Sequence, residues 1–295
     1  MKKGILFIIL SGICFLLVNF FVKLFGQSGA TNELFSHNFQ HIPAHELVLA
    51  RSLVSFLISA VIIKLRGYPF FGVNKKWLLI RGISGTIALT IFFMTIQNLP
   101  FAIAAVIQYL APIFTMLFTM IIIGDRIYRI QWLFVALAFI GVALISLQGL
   151  ISSKDGIAID YLWLGLGMLS ASISGVAYTA IVKLKSTYHP INIVLYFLMV
   201  YIPFMTLWCM FDYVHPIGIE WIFLILIGVF TQFAQILLTK ALHFGHASVI
   251  VPFQYLGIIY ALLIGLFIFD ERLNVIVYLG VFLILVGVLL NTVYR

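Results

Sequence analysis

The sequence predicts an all-α integral membrane protein of ten transmembrane helices, built as two inverted five-helix repeats. Three observations carry this. Hydrophobic residues make up 64% of the chain and charged residues 9%, with a mean hydropathy of +1.20, too few polar side chains to cover a water-facing surface. The apolar runs recur at roughly twenty residues, the length a helix needs to cross about 30 Å of hydrocarbon, where barrel strands would give short alternating segments. Finally, the chain repeats itself. Shifted by 146 positions, Gln108-Tyr109-Leu110 falls on Gln254-Tyr255-Leu256, Gly124-Asp125-Arg126 on Asp270-Glu271-Arg272, and Gly141-Val142 on Gly287-Val288.

The first span, 5–25, follows Lys2-Lys3 and so shares the outline of a secretory signal peptide. The run continues past Asn19 with no small-residue cleavage site and has a counterpart later in the chain, so it reads as a span. A polar segment, 27–44, leads to span two (45–65) and span three (76–97); Asn98-Leu99-Pro100 turns tightly into span four (101–123), and span five covers 128–148. After a polar linker, 149–160, the pattern restarts with spans at 161–182, 191–211, 219–239, 246–269 and 274–293. The predicted organisation is therefore a repeat over 1–148, a linker over 149–160 and a second repeat over 161–295.

Span one matches span six at an offset of 160, where Val22-Lys23-Leu24 meets Val182-Lys183-Leu184, because the first repeat carries a longer segment before span two. Five spans per repeat is an odd number, so the second repeat crosses the membrane in the opposite sense, an arrangement common among secondary transporters. With a cytoplasmic N-terminus, twelve of the 17 Lys and Arg lie on the cytoplasmic side, and only Lys23, Lys154 and Arg272 on the other. That asymmetry predicts a multi-pass protein of the inner (cell) membrane with both termini cytoplasmic. The net charge of +8 is explained by these loops and gives no reason to expect nucleic acid. Cys14 and Cys209 lie inside predicted spans and form no disulfide or metal motif.

Several segments together resemble the drug/metabolite transporter superfamily and, within it, the EamA-type members. They are Glu46-Leu-Val-Leu-Ala-Arg51-Ser, Arg81-Gly-Ile-Ser-Gly, Ala111-Pro112, Gly124-Asp125-Arg126 and Asp270-Glu271-Arg272. The resemblance covers nearly the whole chain as two tandem EamA-like units; Asp125 stands where a glutamate is more usual. It implies a ten-helix carrier of small organic solutes, with export of amino acids or related metabolites a common activity, working as a monomer or homodimer and without a cofactor.

The residues point the same way independently. An ionisable group inside a bilayer costs several kcal/mol unless it pairs or meets water, which makes it a functional candidate. Arg51 lies about a turn and a half into span two, with His45 and Glu46 nearer its outer end; Glu46 and Arg51 sit roughly 140° apart on a helix and make a poor pair on one face. Arg51 is expected to face the bundle interior and either contact an anionic substrate group or tie to backbone carbonyls. Arg81 is close enough to the cytoplasmic end of span three that snorkelling is expected.

Span four sets Gln108, Ala111, Thr115 and Thr119 along one face, and span nine repeats the spacing with Gln254, Gly257, Ala261 and Gly265. The small positions suit close helix packing. Buried glutamines need partners, so Gln108 and Gln254 are candidates to line a cavity with Tyr109 and Tyr255. Pro112 and Pro252 each remove a helix hydrogen bond and are gating candidates as well as static kinks. Gln232, Gln235, Thr239 and His243 form a stripe on span eight, and Ser11 and Asn19 add polar groups on span one. This almost carboxylate-free set favours neutral, zwitterionic or anionic solutes, with His243 and Glu46 as candidates for a coupled proton.

Glu33, His37, His41 and His45 recur every four residues, but Pro43 interrupts any helix there, and an interfacial segment touching lipid through Leu34, Phe35 and Phe39 is the expectation instead of a metal site. An enzyme acting on lipid-like substrates would need paired carboxylates or a nucleophile and base at one interface, and a channel a pore-lining ring. Neither pattern stands out. A carrier of a small-molecule substrate is the function expected.

Overall fold

The computed structural model describes residues 2–26, 39–67, 75–124, 128–151, 160–184, 190–243 and 256–293. Eleven helices lie within them: α1 (Lys2–Leu24), α2 (Ala44–Arg66), α3 (Lys75–Asn98), α4 (Phe101–Gln108), α5 (Ala111–Ile123), α6 (Arg129–Ile151), α7 (Tyr161–Leu184), α8 (Pro190–Cys209), α9 (Glu220–His243), α10 (Leu256–Ile268) and α11 (Val275–Val293). No strand occurs among the described residues. Backbone polar groups in the helix interiors are thus paired inside their own helix, as hydrocarbon requires.

Among the described residues, seven stretches are long and apolar enough to cross a membrane, with α4 and α5 together forming one of them; the apolar stretches Arg129–Ile145, Leu256–Ile268 and Val275–Leu290 are shorter. The lipid-type side chains point outward, among them Leu57, Leu133, Phe267 and Phe282, while the core gathers Phe21, Phe25, Phe93, Phe101 and Tyr201.

The fourth predicted span is not one continuous helix. Pro112 has no N–H for the Gln108 carbonyl, and the chain tightens before it through Tyr109 N–H to Val106 O (3.1 Å) and Leu110 N–H to Ile107 O (3.0 Å). The helix resumes with the proline in its first turn.

Helices of the first half pack on those of the second: α1 on α9, α7 on α3, α2 on α8, and α6 on α11. Serine hydroxyls stitch two of these seams. Ser11 donates to the Ala234 carbonyl (2.8 Å) from α1 to α9, and Ser170 to the Ala88 carbonyl (2.7 Å) from α7 to α3. The α6 and α11 backbones meet directly. A Cβ on Gly141 would lie 2.5 Å from the Gly280 carbonyl oxygen, and one on Gly287 would lie 2.6 Å from that of Phe134. Only hydrogen fits at such a crossing.

A side chain at that crossing therefore forces the helices apart. Gly141→Leu should lower stability by about 1–3 kcal/mol, read as a lower melting temperature of the detergent-purified protein. Gly12→Ala, where an added Cβ meets nothing within 4 Å, should leave the melting temperature unchanged or slightly raised.

Candidate substrate site

The interior of the bundle holds two arginines. Arg51 on α2 is buried, with its Cζ 5.7 Å from the centre of the Phe93 ring on α3. Arg81 on α3 does not snorkel. Its guanidinium lies 4.1 Å from the centre of the Phe197 ring on α8, and its Nε is buried without a hydrogen-bond partner. Gly85 explains the inward turn. One helical turn deeper than Arg81, it has no side chain, and a Cβ there would strike both the Arg81 guanidinium and the Phe197 ring. The arginine thus fills a space that glycine leaves, instead of extending to the near interface.

Tyr201 stands beside both arginines, its hydroxyl donating to the Gly85 carbonyl (2.7 Å) and its ring edge-on to Phe197. Tyr178 on α7 is also near both. Neither arginine has a carboxylate within ion-pair distance among the described residues.

The glutamine candidates are more fully engaged. Gln108 donates to Ser174 Oγ (3.1 Å) and accepts from Ser170 Oγ (3.3 Å), so it lies in the seam between α4 and α7. Thr115 and Thr119 donate to carbonyls of their own helix. Tyr109 lies against Gly257 of α10, where a Cβ would collide with its hydroxyl. On α9, Gln232 donates to Ser59 Oγ of α2 (3.1 Å), while its Oε1 is buried with no partner; Gln235 and, on α1, Asn19 are half-buried. Pro112 sits in the first turn of α5. His243 ends α9. Gln254, Tyr255 and Pro252 lie outside the described residues, as do Glu33 and His37.

Glu46 is not among the arginines. Its Oε2 accepts from the Val214 N–H (3.1 Å) in the segment after α8. Beside it His45 bonds the Asp212 carbonyl (2.7 Å) and stacks on Trp208 at 5.0 Å between ring centres. His41 turns elsewhere, to the Phe25 carbonyl (3.0 Å), so the two histidines do not share a centre. Glu220 ties the same end together, accepting from Gln40 N–H (2.7 Å) and Ile217 N–H (2.8 Å).

A second junction could not be read from the sequence. Pro100 precedes α4 and supplies no capping side chain, leaving the first N–H groups of that helix without partners. Glu271, 170 residues away, caps them instead. Its Oε1 accepts from Phe101 N–H (2.6 Å) and its Oε2 from Ala102 N–H (3.4 Å). Lys23 at the end of α1 donates to the Leu99 carbonyl and lies within electrostatic reach of Glu271. Gly265 leaves the room, since a Cβ there would lie 2.8 Å from Glu271 Oε2.

Comparison with known proteins now bears on the whole chain. The family model described as "EamA-like transporter family" matches residues 2–147 and 161–293. The pseudopaline exporter CntI of Pseudomonas aeruginosa is 29% identical over 265 residues, which cover 88% of this chain and 85% of the relative. An uncharacterized transporter of Helicobacter pylori is 27% identical over 302 residues, 97% of this chain and 93% of that one. Solute carrier family 35 member G1 of Mus musculus is 24% identical, covering 81% and 68% respectively. A crystal structure of a protein superposes with a TM-score of 0.61 at 16% identity over 98% of this chain and 96% of the other, a likeness of fold.

The Glu271 cap carries a pH signature. Burial pushes its carboxyl above the usual carboxylate range, with the two N–H donors and Lys23 opposing that push. A raised carboxyl favours the folded state most when protonated, so this contribution is full below the ordinary value of about 4.3 and is lost as pH rises through the folded value. Glu271→Gln keeps an acceptor for Phe101 N–H and should abolish that part of the pH dependence of the melting temperature. Glu271→Ala, which uncaps α4, should lower stability by about 1 kcal/mol.

Proposed function

The chain belongs to the EamA-like transporter family, whose members are transporters and not enzymes, and from that premise we propose that it moves small organic metabolites, such as amino acids or related compounds, out across the cytoplasmic membrane by alternating access. The observation that carries this is Arg51. It is a buried cation in a membrane-crossing helix, flanked by Phe93, with no carboxylate at ion-pair distance among the described residues. Such a group is kept where it binds something. Relatives named as an exporter and as a solute carrier support the direction and the substrate size.

Two inverted five-helix repeats, ten spans in all, are the architecture of this proposal, with both termini cytoplasmic. Its support lies in contacts that come in related pairs. At the repeat offset of 146, the approach of Gly141 to Gly280 is the counterpart of that of Gly287 to Phe134. The Ser11 bond to Ala234 corresponds to the Ser170 bond to Ala88, one residue out of register at the serine. In this scheme α1 to α5 and α7 to α10 surround the substrate, while α6 and α11 brace the halves. The break at Pro112 is a candidate hinge, and Glu46 and His243 are candidate proton carriers.

The test is efflux of a labelled amino-acid panel from proteoliposomes. Arg51→Ala should cut flux of the transported compound at least tenfold while folded protein still reaches the membrane, and Gln108→Ala should give a smaller loss. Unchanged flux in both variants would remove this site.

A further inference from the structure

We propose that the substrate bears two anionic groups on separate parts of one molecule, one met by Arg51 and the other by Arg81. This rests on the transporter reading above and adds a second, equal partner to its site. Two cations inside one helix bundle repel each other, and each is costly to desolvate without a counter-charge. The aromatic rings soften that cost without neutralising it, since a ring face supplies only a partial negative potential. Among the described residues the buried carboxylates are already committed: Glu46 to Val214, Glu220 to Gln40 and Ile217, and Glu271 to Phe101 and Ala102. Arg81 retains a buried Nε with no partner. The guanidinium fork is built to receive a carboxylate through two parallel N–H groups.

The spacing selects the ligand. Arg51 lies over Phe93 and Arg81 beside Gly85, eight residues apart on α3, or about 12 Å of helix axis. The two cations lie over different rings, Arg51 over Phe93 of α3 and Arg81 over Phe197 of α8, and long arginine side chains shorten the gap between them. A dicarboxylate with a carbon skeleton between its charges can give each fork its own carboxylate, and inorganic phosphate is the probe for one anion shared by both. Tyr201, fixed to Gly85, stands beside both cations and offers its ring to that skeleton. Tyr178 supplies the approach. It is 43% exposed, yet it lies about 180° around α7 from the outward-facing Leu169, so its exposed surface is on the bundle side.

The experiment is binding to the purified full chain, by thermal shift and calorimetry, of L-glutamate, its monoamide L-glutamine, the straight-chain dicarboxylates from succinate to pimelate, and inorganic phosphate. At least one dicarboxylate should bind tenfold or more tightly than the matching monoanion, with an optimum chain length, and phosphate should not stabilise. Arg81→Gln should abolish the preference for the second charge, and Arg81→Lys should retain part of it. Ligand-free Arg51→Gln and Arg81→Gln should melt at the same or a higher temperature, because each removes a charge that has no counter-charge inside the bundle among the described residues; a purely structural arginine would melt lower when replaced.

Equal binding of dicarboxylate and monoanion, no stabilisation by any dicarboxylate, or a preference unchanged in both Arg81 variants would each overturn the inference. Proteoliposome flux separates it from the reading beneath it. Carrier-mediated flux of panel compounds with no preference for a second negative charge defeats the inference and leaves a transporter. Selective dicarboxylate binding without flux of any bound compound leaves the two-arginine site and defeats transport.

Discussion

Away from water, every polar group must find a partner inside the protein, and the ends of helices are where that demand is hardest to meet. The start of α4 concentrates the problem. Pro100 cannot cap, and Phe101 and Ala102 point their N–H groups at the end of the bundle. Glu271 meets both from the other half of the chain, and Lys23 secures the Leu99 carbonyl one step earlier. Three distant segments, the end of α1, the turn between α3 and α4, and the loop after α10, are thereby held as one. Gln97 extends the junction, donating to the Ile42 carbonyl (2.8 Å), and Glu46 and Glu220 do similar work at the segment after α8. Glu46, Glu220, Glu271 and Lys23 are charged residues at helix ends that complete the backbone of another segment.

Against that background the two arginines stand out by what they lack. Ser170 bonds Ala88, Gln108 bonds Ser174 and Tyr201 bonds Gly85, although the buried Gln232 Oε1 and Thr231 Oγ1 find no partner. Arg51 and Arg81 meet ring faces instead. The unpaired Arg81 Nε, set against helix caps completed across 170 residues, is what the proposed anion site draws on.

Much of this was legible in the sequence. Length and hydropathy marked out apolar helices, and the depth of Arg51 within its span marked it as interior. Pro112 marked a weak point in span four but not its extent, which depends on how the preceding turn tightens around Tyr109 and Leu110. Arg81 was read as snorkelling because its distance from the helix end allows it. What decided otherwise was Gly85, whose missing side chain opens the interior face toward Phe197. An arginine with glycine four residues on, on the same helical face, is the pattern that could have signalled this. The capping by Glu271 had no local signal at all, since donor and acceptor meet only when the two halves fold together.

The crossing of α6 and α11 has a mechanical meaning of its own. Helices that interdigitate large side chains resist rotation, because ridges must climb out of grooves. Here the contact is glycine against carbonyl, at Gly141 with Gly280 and again at Gly287 with Phe134. Ile284 and Ile145 fill the notches beside Gly141 and Gly280, so the joint is intolerant of separation, as any widening forfeits close contact along both backbones. In the carrier proposed above, this crossing is the brace that keeps the two halves from drifting apart while other helices move.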